Sequence, residues 1–256
     1  MCYDVESQTK AALKKAQMRG GSLEEIEALK MKLEQFKAET PYYHVSGFAH
    51  PKLLAFTDKD PLEPQFFKWG LIPAWVKDKI SAGQLSNQTL NARGETIFEK
   101  PSFQSSAKTK RCLIYLDAFY EHHHFKGKTY PFRISFKDDS PLPVAGLWSE
   151  WIDKETGEII PTLSIVTTEA NTLMQKIHNN PKAEGPRMPV IFTKETQNEW
   201  LIPCTNEDDK KHIQSLIKPC DENLLNAYTV GRLKGKEAVG NIPEIENEIK
   251  YPELTF

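Results

Sequence analysis

The sequence predicts an α+β fold. It reads as a single domain over 1–256, with a mixed, mainly antiparallel β-core flanked by helices and an N-terminal helical insert over about 7–40. Three observations lead there. From Tyr42 onward the chain is a series of short β-like runs cut by proline. These runs do not alternate regularly with helices, so a parallel sheet wound by crossovers is not expected. The amphipathic helical pattern is concentrated ahead of Pro41.

Taken in order, Ser7 to Met18 reads as helical and stops at Gly20-Gly21. Ser22-Leu23-Glu24-Glu25 has the form of a capping box, in which a hydroxyl and a carboxylate three residues apart satisfy each other's backbone N–H. Ile26, Leu29, Leu33 and Phe36 then share one helical face, which packs on the body or meets a partner. Pro41 ends the insert. Val45 to Phe56 and Gln65 to Ile72 are candidate strands. Arg111 to Tyr120 is almost continuously apolar and reads as one buried strand. Tyr130 to Phe136 and Pro143 to Trp151 follow as strands, then Thr162 to Thr168 leading into a helix over Glu169–His178. Residues 194–202 and 207–218 read as helical and Asn226 to Val230 as a last strand; Gly231 to Phe256 has too little apolar pattern to assign.

Composition narrows the function classes. A formal net charge of −2 means that any nucleic-acid contact must come from a local basic patch. The four cysteines, Cys2, Cys112, Cys204 and Cys220, form no CxxC, so a structural zinc site is not expected. No apolar run approaches the length of a membrane span, and no leader pattern precedes Cys2 that would make it a lipidated cysteine. The expectation is a cytoplasmic chain in a reducing compartment, monomeric, without metal, cofactor or membrane partner.

Met1-Cys2 carries the most chemistry. Initiator methionine is commonly trimmed before a small residue. Trimming would leave Cys2 with a free α-amine, whose reference pKa is about 7.7–8.0 against about 10.4 for lysine. Beside it stands a thiol, the strongest side-chain nucleophile. Such a 1,2-aminothiol condenses with an aldehyde to an imine, and the thiol then closes a five-membered thiazolidine. An internal cysteine cannot do this, because its nitrogen is an amide.

Other residues offer partners for that chemistry, each with a plainer alternative. Asn91, where a loop enters a helix in NARGET (91–96), is either a helix cap or a neutral amide that orients an amine and a carbonyl. Arg93, two residues on, could hold a phosphate. Glu121 closes the run Phe119-Tyr120-Glu121; it is a surface carboxylate, or a partly buried one whose raised pKa makes it a proton donor near neutral pH. His122, His123 and His124 suggest a metal, but neighbours on a strand point to opposite faces, so a loop or solvent-facing role is expected. His178 either complements a helix C-terminus or acts as a general acid/base. Trp69, Trp75, Arg93, Arg111 and Arg187 interleave aromatic with basic side chains, a composition suited to stacking on a single strand.

In order along the chain, Met1-Cys2, WGLIPAW (69–75), NARGET (91–96), RCLI (111–114), DAFYE (117–121), GLW (146–148), IVTTEA (165–170), IH (177–178) and RMPVI (187–191) resemble the SRAP family, the SOS response-associated peptidases also described as abasic-site processing proteins. The resemblance covers most of the chain. It implies an SRAP-like fold and covalent capture of abasic sites in single-stranded DNA, part of a DNA-damage response. The catalytic set would be Cys2, Asn91, Glu121 and His178, with Arg93, Arg187 and Trp75 contacting DNA. It also implies peptidase activity, in the removal of Met1, and lyase-type chemistry. An N-terminal-nucleophile cysteine peptidase or amidohydrolase is the alternative, with Asn91 as oxyanion donor and His178 as base. A single-strand binding module without chemistry is a third reading.

The chain departs from the family pattern in four places. Tyr3-Asp4 stands where the family commonly has Gly-Arg, and an aspartate there would repel phosphate. Tyr43-His44-Val45-Ser46-Gly47 lacks the proline of the usual Tyr-Asn-x-x-Pro. The segment 179–186 opens the usual His-x-Arg-Met-Pro, and the insert 7–40 has no counterpart in compact bacterial members.

Overall fold

The computed structural model describes residues 2–7, 13, 22–34 and 42–254. In chain order the strands are β1 (Asp4–Ser7), β2 (Tyr42–Ser46), β3 (Lys52–Thr57), β4 (Gln65–Trp69), β5 (Asn91–Arg93) and β6 (Arg111–Leu116). They continue as β7 (Ala118–Phe125), β8 (Lys128–Phe136), β9 (Leu142–Ile152), β10 (Ile159–Glu169), β11 (Arg187–Pro189) and β12 (Leu225–Thr229). The helices are α1 (Leu23–Glu34), α2 (Lys79–Gln88), α3 (Gln104–Thr109), α4 (Thr172–Ile177) and α5 (Glu207–Ser215). This is a mixed α+β architecture, as the strand and helix order predicts.

Two sheets organise it. One is an antiparallel five-stranded sheet in the order β12-β8-β7-β1-β2. In the other, β4, β3, β6, β9 and β10 close on themselves as a barrel, because β10 pairs with both β9 and β4. The far half of β10 leaves the barrel and takes β5, parallel, along Ile165–Thr167, and β11, antiparallel, along Thr167–Glu169. Asn91, Arg93 and Arg187 are thus brought to one end of the barrel by a single strand.

The barrel wall separates two cores. Along β6, Cys112, Ile114 and Leu116 belong to one apolar cluster and Leu113 and Tyr115 to another, the period-two alternation of a strand covered on both faces. The first cluster also contains Cys2, Val5, Phe119, Phe132, Met174 and Ile177, so it joins barrel, five-stranded sheet and α4.

The apolar run 111–120 is not one strand. It breaks at Asp117 between β6 and β7, which lie in different sheets, and continuous burial hides such a break from a hydropathy pattern. Val45–Phe56 likewise splits at a 3-10 turn over Gly47–Ala49, with His50 in a left-handed conformation. Residues 194–202 contain a 3-10 turn, Gln197–Leu201, rather than an α-helix. The capping box forms: Glu25 N–H donates to Ser22 Oγ (3.1 Å) and Ser22 N–H to Glu25 Oε2 (2.8 Å). Leu33 is buried and Leu29 packs on the second cluster, so this face of α1 is turned to the body. Ser7 ends β1 rather than starting a helix. Beyond it the predicted helix to Met18 lies outside the described residues except Leu13, which packs on the same cluster. Phe36 also lies outside them. The C-terminal segment packs on the five-stranded sheet: Leu233 and Ile245 pack with Tyr120, and Asn241 Oδ1 accepts from the backbone N–H of Tyr43 (2.7 Å) and His44 (3.2 Å) on β2.

Candidate active site

β1 lies between β2 and β7, with Asp4 paired to Ser46 on one side and Tyr120 on the other. This fixes the backbone that leads back to Cys2, which is 1 % exposed and belongs to the main core. Asn91 is not a helix cap: it is the first residue of β5 and pairs with Ile165. Its Nδ2 donates to the Cys2 carbonyl at 2.8 Å. Its Oδ1 is buried and has no hydrogen-bond partner among the described residues. A buried amide oxygen left unpaired costs about 1–3 kcal/mol and calls for an explanation.

Glu121 stands in the middle of β7, not at its end, and is buried. Burial pushes its carboxyl above the ordinary carboxylate range. Burial, reinforced by the neighbouring Glu121 carboxylate, also pushes the Cys2 thiol well up. α4 starts on Asn171, whose side chain accepts from Met174 N–H at 2.9 Å, and ends at His178. The His178 Nδ1 lies 3.4 Å from Glu121 Oε2, 2.9 Å from the Arg187 carbonyl and 3.2 Å from the Arg187 N–H. That nitrogen therefore has acceptors when it carries a proton and a donor when it does not, as a proton shuttle requires. The Asn179 amide fixes the next residue by bonding both ways to the His124 backbone (2.7 and 3.0 Å).

Glu121 and His178 border a cleft of about 670 Å³, together with Tyr3, Asp4, Arg93, His122, Lys182, Glu184, Arg187 and Lys234. At its rim Arg93 pairs with Glu184 (2.5 Å) and Arg187 with Glu95 (2.7 Å). Arg187 also donates to the side chain and carbonyl of Thr167 (3.3 and 2.9 Å), which ties it to β10. A second cavity of about 590 Å³, lined by Asp58, Tyr115, Phe136, Gln197 and Leu201 among others, contains none of the predicted site residues.

The structure brings together Cys2, Asn91, Glu121 and His178, with Arg93 and Arg187 beside them. It does not bring the other predicted contacts. Trp69 is fully buried, and its Nε1 donates to the Leu90 carbonyl (2.7 Å). Arg111, 1 % exposed, spends its guanidinium on the carbonyls of Trp200 (2.8 Å), Ala107 (2.5 Å), Lys108 (3.1 Å) and Ile202. Neither side chain can reach a strand in the cleft, and both are structural. Trp75 is 58 % exposed but does not line the cleft. The three histidines sit half-buried on β7 rather than in a loop, and no group of three metal-ligating side chains occurs among the described residues.

The family model for SOS response associated peptidases (SRAP) matches residues 1–237. The chain belongs to this family. It is 40 % identical over 179 residues to the abasic site processing protein YoqW of Bacillus subtilis, covering 70 % of this chain and 73 % of that one. YoaM of the same organism, also named an abasic site processing protein, is 39 % identical over 167 residues, 65 % of this chain and 67 % of the relative. A crystal structure of a Bacteroides thetaiotaomicron protein superposes with a TM-score of 0.81 at 35 % identity, over 97 % of this chain and 100 % of that one. Among the described residues no helix is long and apolar enough to cross a membrane.

Sequence reasoning missed Glu95, Lys182, Glu184 and Lys234, and gave Asp4 no partner. The one available signal was Tyr3-Asp4 itself: an aspartate beside a proposed anion site demands a compensating cation, and nothing in the sequence said which.

Proposed function

We propose that the chain captures abasic sites in single-stranded DNA by forming a thiazolidine between the sugar aldehyde and Cys2 after Met1 is removed. The observation that carries this reading is the Asn91 amide. One end holds the Cys2 carbonyl, and the other presents a buried oxygen with no partner among the described residues. The α-amine of a mature Cys2 is the donor such an oxygen calls for. Holding that amine in register is worth several kcal/mol of barrier.

The steps follow from the neighbours. The closed sugar must open first. Glu121, whose hold on a proton burial strengthens, gives that proton to the ring oxygen while His178 takes the proton of the anomeric hydroxyl. The Cys2 amine then adds to the aldehyde carbon, and loss of one water leaves an imine. The thiol sulfur adds to that carbon. Its proton passes through Glu121 or His178 to the nitrogen, closing the ring with no net change in protons. Removal of Met1 comes first, because the amine is otherwise an amide; it is the peptidase step of the same site. Arg93, Lys182, Arg187 and Lys234 give the cleft its cations for phosphate. An aldehyde that must reach a buried terminus requires a nucleotide swung out of any stack, which favours a single strand.

Intact mass spectrometry of the mature chain with an oligonucleotide carrying one abasic site tests the reading. The expected product has the two masses summed, less one water, and persists without reductant. A chain with its N-terminus blocked by a fusion should form none; equal adduct from the blocked chain would overturn the aminothiol mechanism.

A further inference from the structure

Asp4 is a buried carboxylate two residues from Cys2, at most about 7 Å along an extended backbone. Each of its oxygens has a donor: Oδ1 meets His44 Nε2 at 3.1 Å and Oδ2 meets Lys234 Nζ at 2.9 Å. Burial alone would push this carboxyl up. The hydrogen bonds from His44 and Lys234 outweigh it and hold the group below the ordinary aspartate range, so the ion pair persists through neutral pH.

Lys234 is anchored by the C-terminal segment. Leu233 is buried against Tyr120, and the chain turns at once through Gly235, whose φ of +91° suits glycine. The lysine side chain is 54 % exposed and lines the cleft. Its counter-ion is buried beneath it, and an ammonium has three donors of which Asp4 takes one. The rim arginines are the reverse case, covered by the exposed carboxylates Glu184 and Glu95. Around Lys234 on this wall stand Tyr120, Glu121 and His122; burial pushes the His122 imidazole down to about 4, so it is neutral at pH 7. An anion entering along this wall meets the Lys234 ammonium before it meets Asp4.

We infer that Lys234 is a phosphate-contacting residue of the capture site, positioned by Asp4, and that it binds a backbone phosphate flanking the nucleotide that reacts with Cys2. The aspartate at position four then carries a cation into the cleft rather than repelling the strand. The inference rests on the DNA reading above.

The test is the salt dependence of binding of the full mature chain to an undamaged single-stranded oligonucleotide of fixed length, followed by fluorescence anisotropy. Each phosphate contact contributes about 0.7 to the slope of log K against log salt for a single strand. Lys234→Met should lower the slope by about that amount and weaken binding several-fold at low salt, and Lys234→Arg should retain both. Because Lys234→Met strands a buried carboxylate, the double variant Asp4→Asn/Lys234→Met removes the pair together and should show the same reduced slope. An unchanged slope in the folded single or double variant overturns the assignment while leaving DNA capture standing. A wild-type chain that binds no single strand at all overturns the DNA reading and this inference with it.

Discussion

The floor and the rim of the cleft are built on opposite principles. The floor is formed by Glu121 and His178, which line the cleft, and by Cys2 and Asn91, which are not among its lining residues; strands β1, β5 and β7 and the end of α4 hold them, and they are largely shut off from solvent. Burial pushes their proton affinities up, as with Glu121 and the Cys2 thiol, or their hydrogen bonding is half-satisfied, as with the Asn91 amide, whose oxygen has no partner among the described residues. At the rim, Arg93 and Arg187 are charged, and each is paired with a carboxylate that water also reaches. Burial shifts proton affinities and fixes positions, which chemistry requires. Exposure lets ion pairs exchange partners cheaply, which binding requires. If this division is right, floor variants change reaction rates with little effect on affinity, and rim variants do the opposite.

The largest effect should come from the floor. Cys2→Ala keeps an amine but has no ring-closing atom, so the stable adduct should disappear and leave only an imine that borohydride traps. A heat-stable adduct from this variant, seen on a denaturing gel without reductant, would mean that the sulfur is not the closing nucleophile. Asn91→Ala should slow capture on the order of a hundredfold, the penalty of about 1 Å of misplacement, while binding of undamaged strands is retained.

Glu121→Gln tests whether burial serves the chemistry. As general acid Glu121 should contribute about 10²–10⁴-fold on a closed sugar, and much less on a small aldehyde that is already open. Equal slowing on both would return Glu121 to a structural role. Stability moves the opposite way. The folded pKa lies above the unfolded value of about 4.3, so the stability this group gives is complete below that value and is lost as pH rises through the raised folded pKa. Glutamine never ionises. Glu121→Gln should therefore gain melting temperature relative to wild type as pH rises across that window, and a constant offset across it would deny the raised pKa.

Two arginines sharpen the comparison because the sequence does not separate them. Arg111→Met strands carbonyls of Trp200, Ala107, Lys108 and Ile202, each unsatisfied group costing about 1–3 kcal/mol, so it should lower the melting temperature strongly. Arg93→Ala should leave the melting temperature nearly unchanged and reduce the salt slope for single-stranded DNA by about 0.7.

That pair also shows what was legible beforehand. Strand character, the capping box and the convergence of Cys2, Asn91, Glu121 and His178 could be expected from apolar pattern and ordered motifs. The role of Arg111 could not, because its sequence neighbours do not reveal that Trp200 and Ile202 point carbonyls at it from 89 and 91 residues away. Trp69 misled for the same reason: an indole in a motif looks the same whether it stacks on a base or donates to the Leu90 carbonyl. The break at Asp117 was invisible because β6 and the start of β7 are both buried. The Asp4–Lys234 pair joins positions 230 residues apart, beyond any local pattern.

The smallest expected effect is the most direct test of the rim. Glu184 lies in the segment 179–186 that opens the family's usual motif, and its carboxylate sits on Arg93 where a phosphate oxygen would bind. An exposed pair of this kind is worth about 0–1 kcal/mol. Glu184→Gln should therefore tighten binding of an undamaged single strand by no more than roughly fivefold. The gain should be greatest at low salt, because screening weakens the competing pair as well as the DNA contact. The rate at which Cys2 reacts with a small free aldehyde should be unaltered, since Glu184 touches none of the floor. A faster small-aldehyde reaction in Glu184→Gln, with DNA affinity unmoved, would show that the segment 179–186 acts on the floor, and the division between the two regions would fail.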